Sequence, residues 1–256
     1  MNKSLIVDHL TVEVSPSEQQ LAPVVAQQTG EYLKQVLQQR GEANIVFATG
    51  SSQLGFLGAL TALEGLDWSK ITCFHLDEYL GLSATHPASF RYYLQEQILA
   101  KVQPAQFYTI RGDADEPLLE CDRYTQLLKT RTLDLCCLGI GENGHLAFNE
   151  PHVADFYDPY LIKLVKLDPI NRQQQVNQGH FPSLDQVPQY AYTLTIPVIT
   201  AAQKILGFAF GDRKAKIIKT LLSHPVTPNC PASILRHHPQ ATLYLDPEAA
   251  GLIVES

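Results

Sequence analysis

The chain alternates between short, almost wholly apolar runs and longer stretches in which apolar residues recur every three or four positions. Ala43 to Ala48, Ile71 to Leu76 and Leu133 to Leu138 are runs of the first kind and predict strands; Tyr192 to Ile196, Ile205 to Phe210 and Thr242 to Leu245 predict three more. Leu21, Val24, Val25, Leu33, Val36 and Leu37 follow helical spacing. Ser15-Pro16-Ser17-Glu18 reads as a capping box with Pro16 at the first helical position, and Gly41 ends that helix. Further helices are predicted through Leu54, Leu57 and Leu60, and over Ser89 to Leu99, Glu116 to Lys129 and Asp212 to Leu222. Buried strands that alternate with helices imply a doubly wound, mostly parallel sheet covered on both faces, a Rossmann-like α/β fold. No repeat divides residues 1–256, so a single domain is expected.

His152 to Pro188 breaks the alternation. It is rich in Pro, Asn, Gln and Asp and contains Arg172-Gln173-Gln174-Gln175. A long, weakly patterned segment inside an α/β domain is a functional lid or a surface excursion, and both readings stand at this point.

Composition narrows the function class. The 256 residues carry a net charge of -7 without a Lys/Arg cluster, so neither nucleic acid nor an anionic membrane is an expected partner. MNKSLIVDHL turns polar after three apolar residues, unlike a signal peptide, and no stretch is long enough to span a membrane. Cys73, Cys121, Cys136, Cys137 and Cys230 lack metal-ligand spacing and read as reduced thiols of a cytoplasmic protein.

In open α/β sheets ligands bind beyond the carboxyl ends of the strands. After the first apolar run, Thr49-Gly50-Ser51-Ser52 offers hydroxyls and backbone N–H groups at a helix N-terminus, either an anion cradle or a plain turn. After the second comes His75-Leu76-Asp77-Glu78-Tyr79. Adjacent residues in extended chain point in opposite directions, so one of the two carboxylates faces the site, as a general base or as part of an acidic turn. A metal site built on His75 and Asp77 lacks further ligands at suitable spacing, and no metal is expected. After the third run, Gly139-Ile140-Gly141-Glu142-Asn143-Gly144-His145 continues through Phe148-Asn149-Glu150-Pro151. Its glycines admit close backbone approach, His145 can shuttle a proton, and Glu150 can orient the imidazole.

Together FATGSSQLG, HLDEYLGL and GIGENGHLAFNEP resemble, in order and spacing, the glucosamine-6-phosphate deaminase (isomerase) family, over about Ile45 to Leu222. The resemblance implies a cofactor-free enzyme that isomerises and deaminates glucosamine 6-phosphate to fructose 6-phosphate and ammonia. It makes Asp77 the base that moves a proton between C2 and C1, His145 the ring-opening group and Glu150 its acidic assistant. Asn143 stands where the family often has aspartate, so His145 is expected to be less basic. For the phosphate, Ser51 and Ser52 match the family loop, which Thr49 and Gly50 open, and Lys214 matches the family lysine; Arg172 lies where a lid arginine is expected, although Gln173-Gln174-Gln175-Val176 departs from the family's Arg-x-Ala-Asn-like string. Backbone N–H groups of Gly139, Ile140 and Gly141 are candidates to stabilise charge on the C1 oxygen. The residues after Pro151 lack the basic and hydroxyl groups of effector-binding hexamers, so a monomer or small homo-oligomer is expected. The rivals are a 6-phosphogluconolactonase-like lactone hydrolase, which carries Gly-His-Thr-Ala-Ser where this chain has Gly-His-Leu-Ala-Phe, and a non-catalytic sugar-phosphate sensor.

Overall fold

The computed structural model describes residues 3–253. In chain order its elements are β1 (Lys3–Val7), β2 (Leu10–Val14), α1 (Glu18–Arg40), β3 (Ala43–Phe47), α2 (Ser51–Thr61), β4 (Ile71–His75), β5 (Asp77–Tyr79) and α3 (Phe90–Leu94). They continue with β6 (Gln106–Tyr108), α4 (Pro117–Lys129), β7 (Leu135–Gly139), β8 (Ile162–Lys166), α5 (Pro169–Asn177), β9 (Tyr190–Leu194), α6 (Ile196–Thr200), β10 (Lys204–Ala209), α7 (Ala215–Ser223) and β11 (Ala241–Leu245). Eight strands form the main sheet in the order β1-β2-β11-β10-β7-β3-β4-β6, parallel throughout except for the β1–β2 hairpin.

Strand alternation divides the core. On β3 and β7, Ile45, Phe47, Leu135 and Cys137 join Leu21, Val25 and Leu33 of α1 and Phe56, Leu57 and Leu60 of α2 on one face. Val46, Cys136 and Leu138 face the other way, with Tyr124 of α4, Ile196 of α6 and Ile218 and Leu221 of α7. Both faces are covered, which is why these strands read as apolar without alternation. Asp134, just before β7, accepts the Asn44 N–H at 2.8 Å and pairs with Arg40, so this buried carboxylate is satisfied.

Several expectations shift. The cap of α1 is Ser17, whose Oγ accepts the Gln20 N–H at 3.3 Å; Pro16 precedes the helix, and the proline inside it is Pro23. Gly41 ends the helix in the left-handed region, as its position implied. The segment Ser89 to Leu99 is not one regular helix, because α3 passes into a π turn at Gln95–Leu99. The largest change concerns Tyr192 to Ile196. This strand ends at Leu194 and belongs to a second, three-stranded antiparallel sheet, β5-β9-β8, outside the main one. The stretch 152–188 supplies β8 and the helix α5. Among the described residues no helix is long and apolar enough to cross a membrane.

Candidate active site

The carboxyl ends of β3, β4 and β7 open into one cavity of about 530 Å³, within the range of small-molecule sites. It is lined by the start of α2, by β5, by the loop after β7, by the Arg213-Lys214 turn and by α5.

At one end, Gly50 (φ +106°) turns the chain from β3 into α2, so that Thr49, Gly50, Ser51 and Ser52 all line the cavity at an 11-residue helix's N-terminus. That backbone angle favours glycine, and the exposed N–H groups with the helix dipole suit an anion. Tyr93 braces the turn, its hydroxyl donating to the Gly50 carbonyl at 2.8 Å. Lys214 also lines the cavity, donating to the Ile140 carbonyl at 2.7 Å, and burial lowers its pKa.

The second sheet explains the paired carboxylates. β5 pairs with β9, and its extended backbone sends Asp77 into the cavity and Glu78 to the opposite side. Glu78 is fully buried and accepts from the N–H groups of Tyr79, Phe90 and Arg91 and from the Ser89 hydroxyl, at 2.8 to 3.1 Å. It caps α3 from outside and has no access to a ligand. Asp77 is buried at the cavity wall, and desolvation, reinforced by the Glu78 charge, raises its pKa well above the usual carboxylate range. His75 is buried, its Nε2 accepts the Ile110 N–H at 2.6 Å, and burial depresses its pKa to about 3. Its Nδ1 is buried without a hydrogen-bond partner, and among the described residues His75 and Asp77 belong to no cluster of three metal-ligating groups.

The loop after β7 folds back on itself. The Gly141 N–H donates to the His145 carbonyl at 3.0 Å, and a Cβ at Gly141 would come within 2.3 Å of the His145 ring, so only glycine leaves the imidazole its place. Ala147 (φ +52°) holds a strained left-handed conformation in the same loop, which is pinned to β9 by Asn149: its Nδ2 reaches the Leu146 and Leu194 carbonyls and the Thr193 hydroxyl. Asn143 Oδ1 accepts the His145 N–H at 3.1 Å and lies 2.7 Å from Nδ1. Two donors on one oxygen fix the amide's orientation, put the imidazole proton on Nδ1 and leave Nε2 free to accept. Burial, with the Lys214 charge, lowers the His145 pKa to about 4, so the ring is neutral at physiological pH. Behind it lies Glu150, buried and bonded by the Asn171 amide; desolvation raises its pKa, against that bond and the weaker pull of the nearby Asn143 amide. Glu150, His152 and Asp168 bring side-chain oxygens and nitrogens within 4.8 Å of one another; with Glu150 Oε1 taken by the Asn171 amide, we read these as a charge cluster around the relay.

Asp77 and His145 therefore line one cavity with Thr49, Gly50, Ser51, Ser52, Lys214, Gly139, Ile140 and Gly141, while Asn143 and Glu150 lie outside its lining, Asn143 bonded to His145 and Glu150 near Asn143. Arg172 does not join. Its guanidinium donates to the carbonyls of Pro188, Leu184 and Val187, on the side of α5 away from the cavity, because the helical turn brings Asn171, Gln174 and Gln175 inward instead. The exposed cation at the cavity edge is Arg213, 3.6 Å from Glu142. Neither Asn171 nor Arg213 was singled out by the sequence; the helical spacing of amides at Asn171, Gln174, Gln175 and Gln178 is the signal that went unread for the first.

Residues 16–244 match the sequence model described as glucosamine-6-phosphate isomerases/6-phosphogluconolactonase. The chain belongs to this family. Within the family, it is 38% identical over 214 residues to a glucosamine-6-phosphate deaminase of Listeria monocytogenes, covering 83% of this chain and 89% of that one. It is 36% identical over 223 residues to one of Oenococcus oeni, covering 87% and 92%. The fold superposes on a solved monomeric glucosamine-6-phosphate deaminase with a TM-score of 0.86 at 33% identity, over 94% of this chain and 99% of that one. It also superposes on the 6-phosphogluconolactonase of Thermotoga maritima with a TM-score of 0.73 over 93% and 98%; at 16% identity this shows a shared fold.

Proposed function

We propose that the protein converts glucosamine 6-phosphate and water to fructose 6-phosphate and ammonia. The observation that carries this reading is the placement of Asp77, a desolvated carboxylate in the same cavity as the neutral His145 imidazole and the anion cradle. The phosphate sits on the α2 N-terminus with Lys214, and this remote grip holds the sugar over the carboxylate. His145 Nε2 takes the proton from the anomeric hydroxyl and delivers it to the ring oxygen, giving the open-chain aldehyde. Asp77 removes the C2 proton and returns it to C1, while N–H groups along Gly139 to Gly141 stabilise negative charge on the C1 oxygen. The resulting C2 imine is hydrolysed by water to the ketone, releasing ammonia. Substrate carbonyl and amine supply the reactivity, and no cofactor is required. The identities with deaminases support this reading, as does Phe148 in the loop where a lactonase carries a hydroxyl residue.

Purified protein given glucosamine 6-phosphate, galactosamine 6-phosphate and 6-phosphogluconolactone is expected to release ammonia from the first. Acid release from the lactone alone would establish the hydrolase instead, and binding without turnover a sensor. The relay adds a pH test. An Asn143→Asp change puts a carboxylate against Nδ1 and raises the imidazole pKa; because ring opening needs neutral imidazole, the acid limb of the kcat profile is expected to move to higher pH. An identical profile in the variant rejects the role given to Asn143.

The five free, buried cysteines support a reducing, cytoplasmic setting. The monomeric state of the 33%-identical deaminase supports a monomer or small homo-oligomer, and the position of α5 over the cavity supports a lid within residues 152–188.

A further inference from the structure

Helices laid over a cavity usually turn apolar residues inward. In α5 and its cap, Asn171, Gln174, Gln175 and Gln178, spaced i, i+3, i+4 and i+7, line the cavity, and the outer Gln173 and Asn177 bond to each other at 3.0 Å. Other groups hold the helix in place. Asp168 caps it through the Ile170 N–H at 2.7 Å, and Arg172 ties it to the chain at Leu184, Val187 and Pro188. The amide face is thus available for work other than anchoring. One member reaches the catalytic relay: buried Asn171 donates through Nδ2 to Glu150 Oε1, and its Oδ1 accepts from Gln175 Nε2 at 3.5 Å.

The geometry points to Asn171 as a positioning residue for ring opening: carried by α5 at the cavity, its amide fixes the Glu150 carboxylate beside the Asn143 amide that bonds the His145 imidazole. This inference rests on the functional reading above. The same face presents Gln174 and Gln175 to the cavity, so the helix that lines the substrate space also holds the relay carboxylate.

Glu150 is faced by His152, whose Nδ1 is 3.9 Å from Oε2, by Asp168 at the start of α5 and by Tyr79 of β5. Against that fixed background Asn171 is a neutral donor that favours the ionised carboxylate. Asn171→Ala is expected to lower kcat about tenfold to hundredfold with KM changed less than about threefold, since the loss falls on proton transfer and not on the phosphate grip. The acid limb of the kcat profile is expected to move to higher pH, because Glu150 then holds its proton longer. Asn171→Asp, which keeps the shape and adds a like charge, is expected to move the limb further in the same direction; it also keeps the experiment readable if the alanine variant fails to fold. An unchanged kcat, a rise in KM alone, or a lowered kcat with an unshifted pH profile overturns the assignment. Ammonia release by the unaltered protein separates the two levels: its absence fails the functional reading, while its presence with unaffected variants fails only the role of Asn171.

Discussion

Asp77→Asn is expected to lower ammonia release from glucosamine 6-phosphate by about 10²–10⁴-fold in kcat, the range for loss of a positioned general base and equal to roughly 3–5.5 kcal/mol of barrier. The amide has the same shape as the carboxylate and fits the same cavity wall, so substrate binding is expected to survive while the C2 proton stays in place. Isotope labelling resolves the step: with substrate carrying deuterium at C2, the unaltered protein moves that label to C1 of the product or loses it to water, and the variant leaves it at C2. Turnover within about tenfold of normal would remove Asp77 from the mechanism. The pH dependence carries a second signature. Burial and the neighbouring Glu78 charge raise the Asp77 pKa, and the base works only when ionised, so kcat/KM is expected to rise with pH through a limb lying above the ordinary carboxylate range. Asp77→Asn removes that limb.

Glu78→Ala is expected to act on the fold, destabilising the protein by about 3–5 kcal/mol, the cost of stripping a buried, multiply bonded charge from its partners. Its loss leaves three backbone N–H groups, at Tyr79, Phe90 and Arg91, and the Ser89 hydroxyl without their acceptor, and leaves the Arg91 guanidinium, 3.4 Å from Glu78 Oε2, without that partner. Urea or thermal denaturation measures it, as an earlier midpoint with an unchanged dependence on denaturant. A stability within about 0.5 kcal/mol of the unaltered protein would show that these donors find other partners. Two carboxylates adjacent in sequence thus have separate measurable consequences, one in kcat and the other in the folding equilibrium.

The sequence by itself determined the layered α/β architecture, because strands buried on both faces must be written in apolar residues whatever follows them. It also marked the three segments that follow apolar strands and carry Ser51, Asp77 and His145, because polar residues placed directly after a buried run stand where a sheet opens to a ligand. Only the tertiary structure decided which of Asp77 and Glu78 faces the cavity: alternation says that they diverge, and the pairing of β5 with β9 says which way. The antiparallel sheet β5-β9-β8 was hidden for a related reason. Its strands are short and contribute to loops around the site, and no local pattern distinguishes Tyr190–Leu194 from a strand of the main sheet. Arg172 shows the same limit at one residue. A charge in the right stretch of chain suggested a phosphate ligand, but a single position along a helix rotates a side chain by about 100°, and that rotation gave the cavity to Asn171 and Gln174 and turned the arginine to the carbonyls behind it.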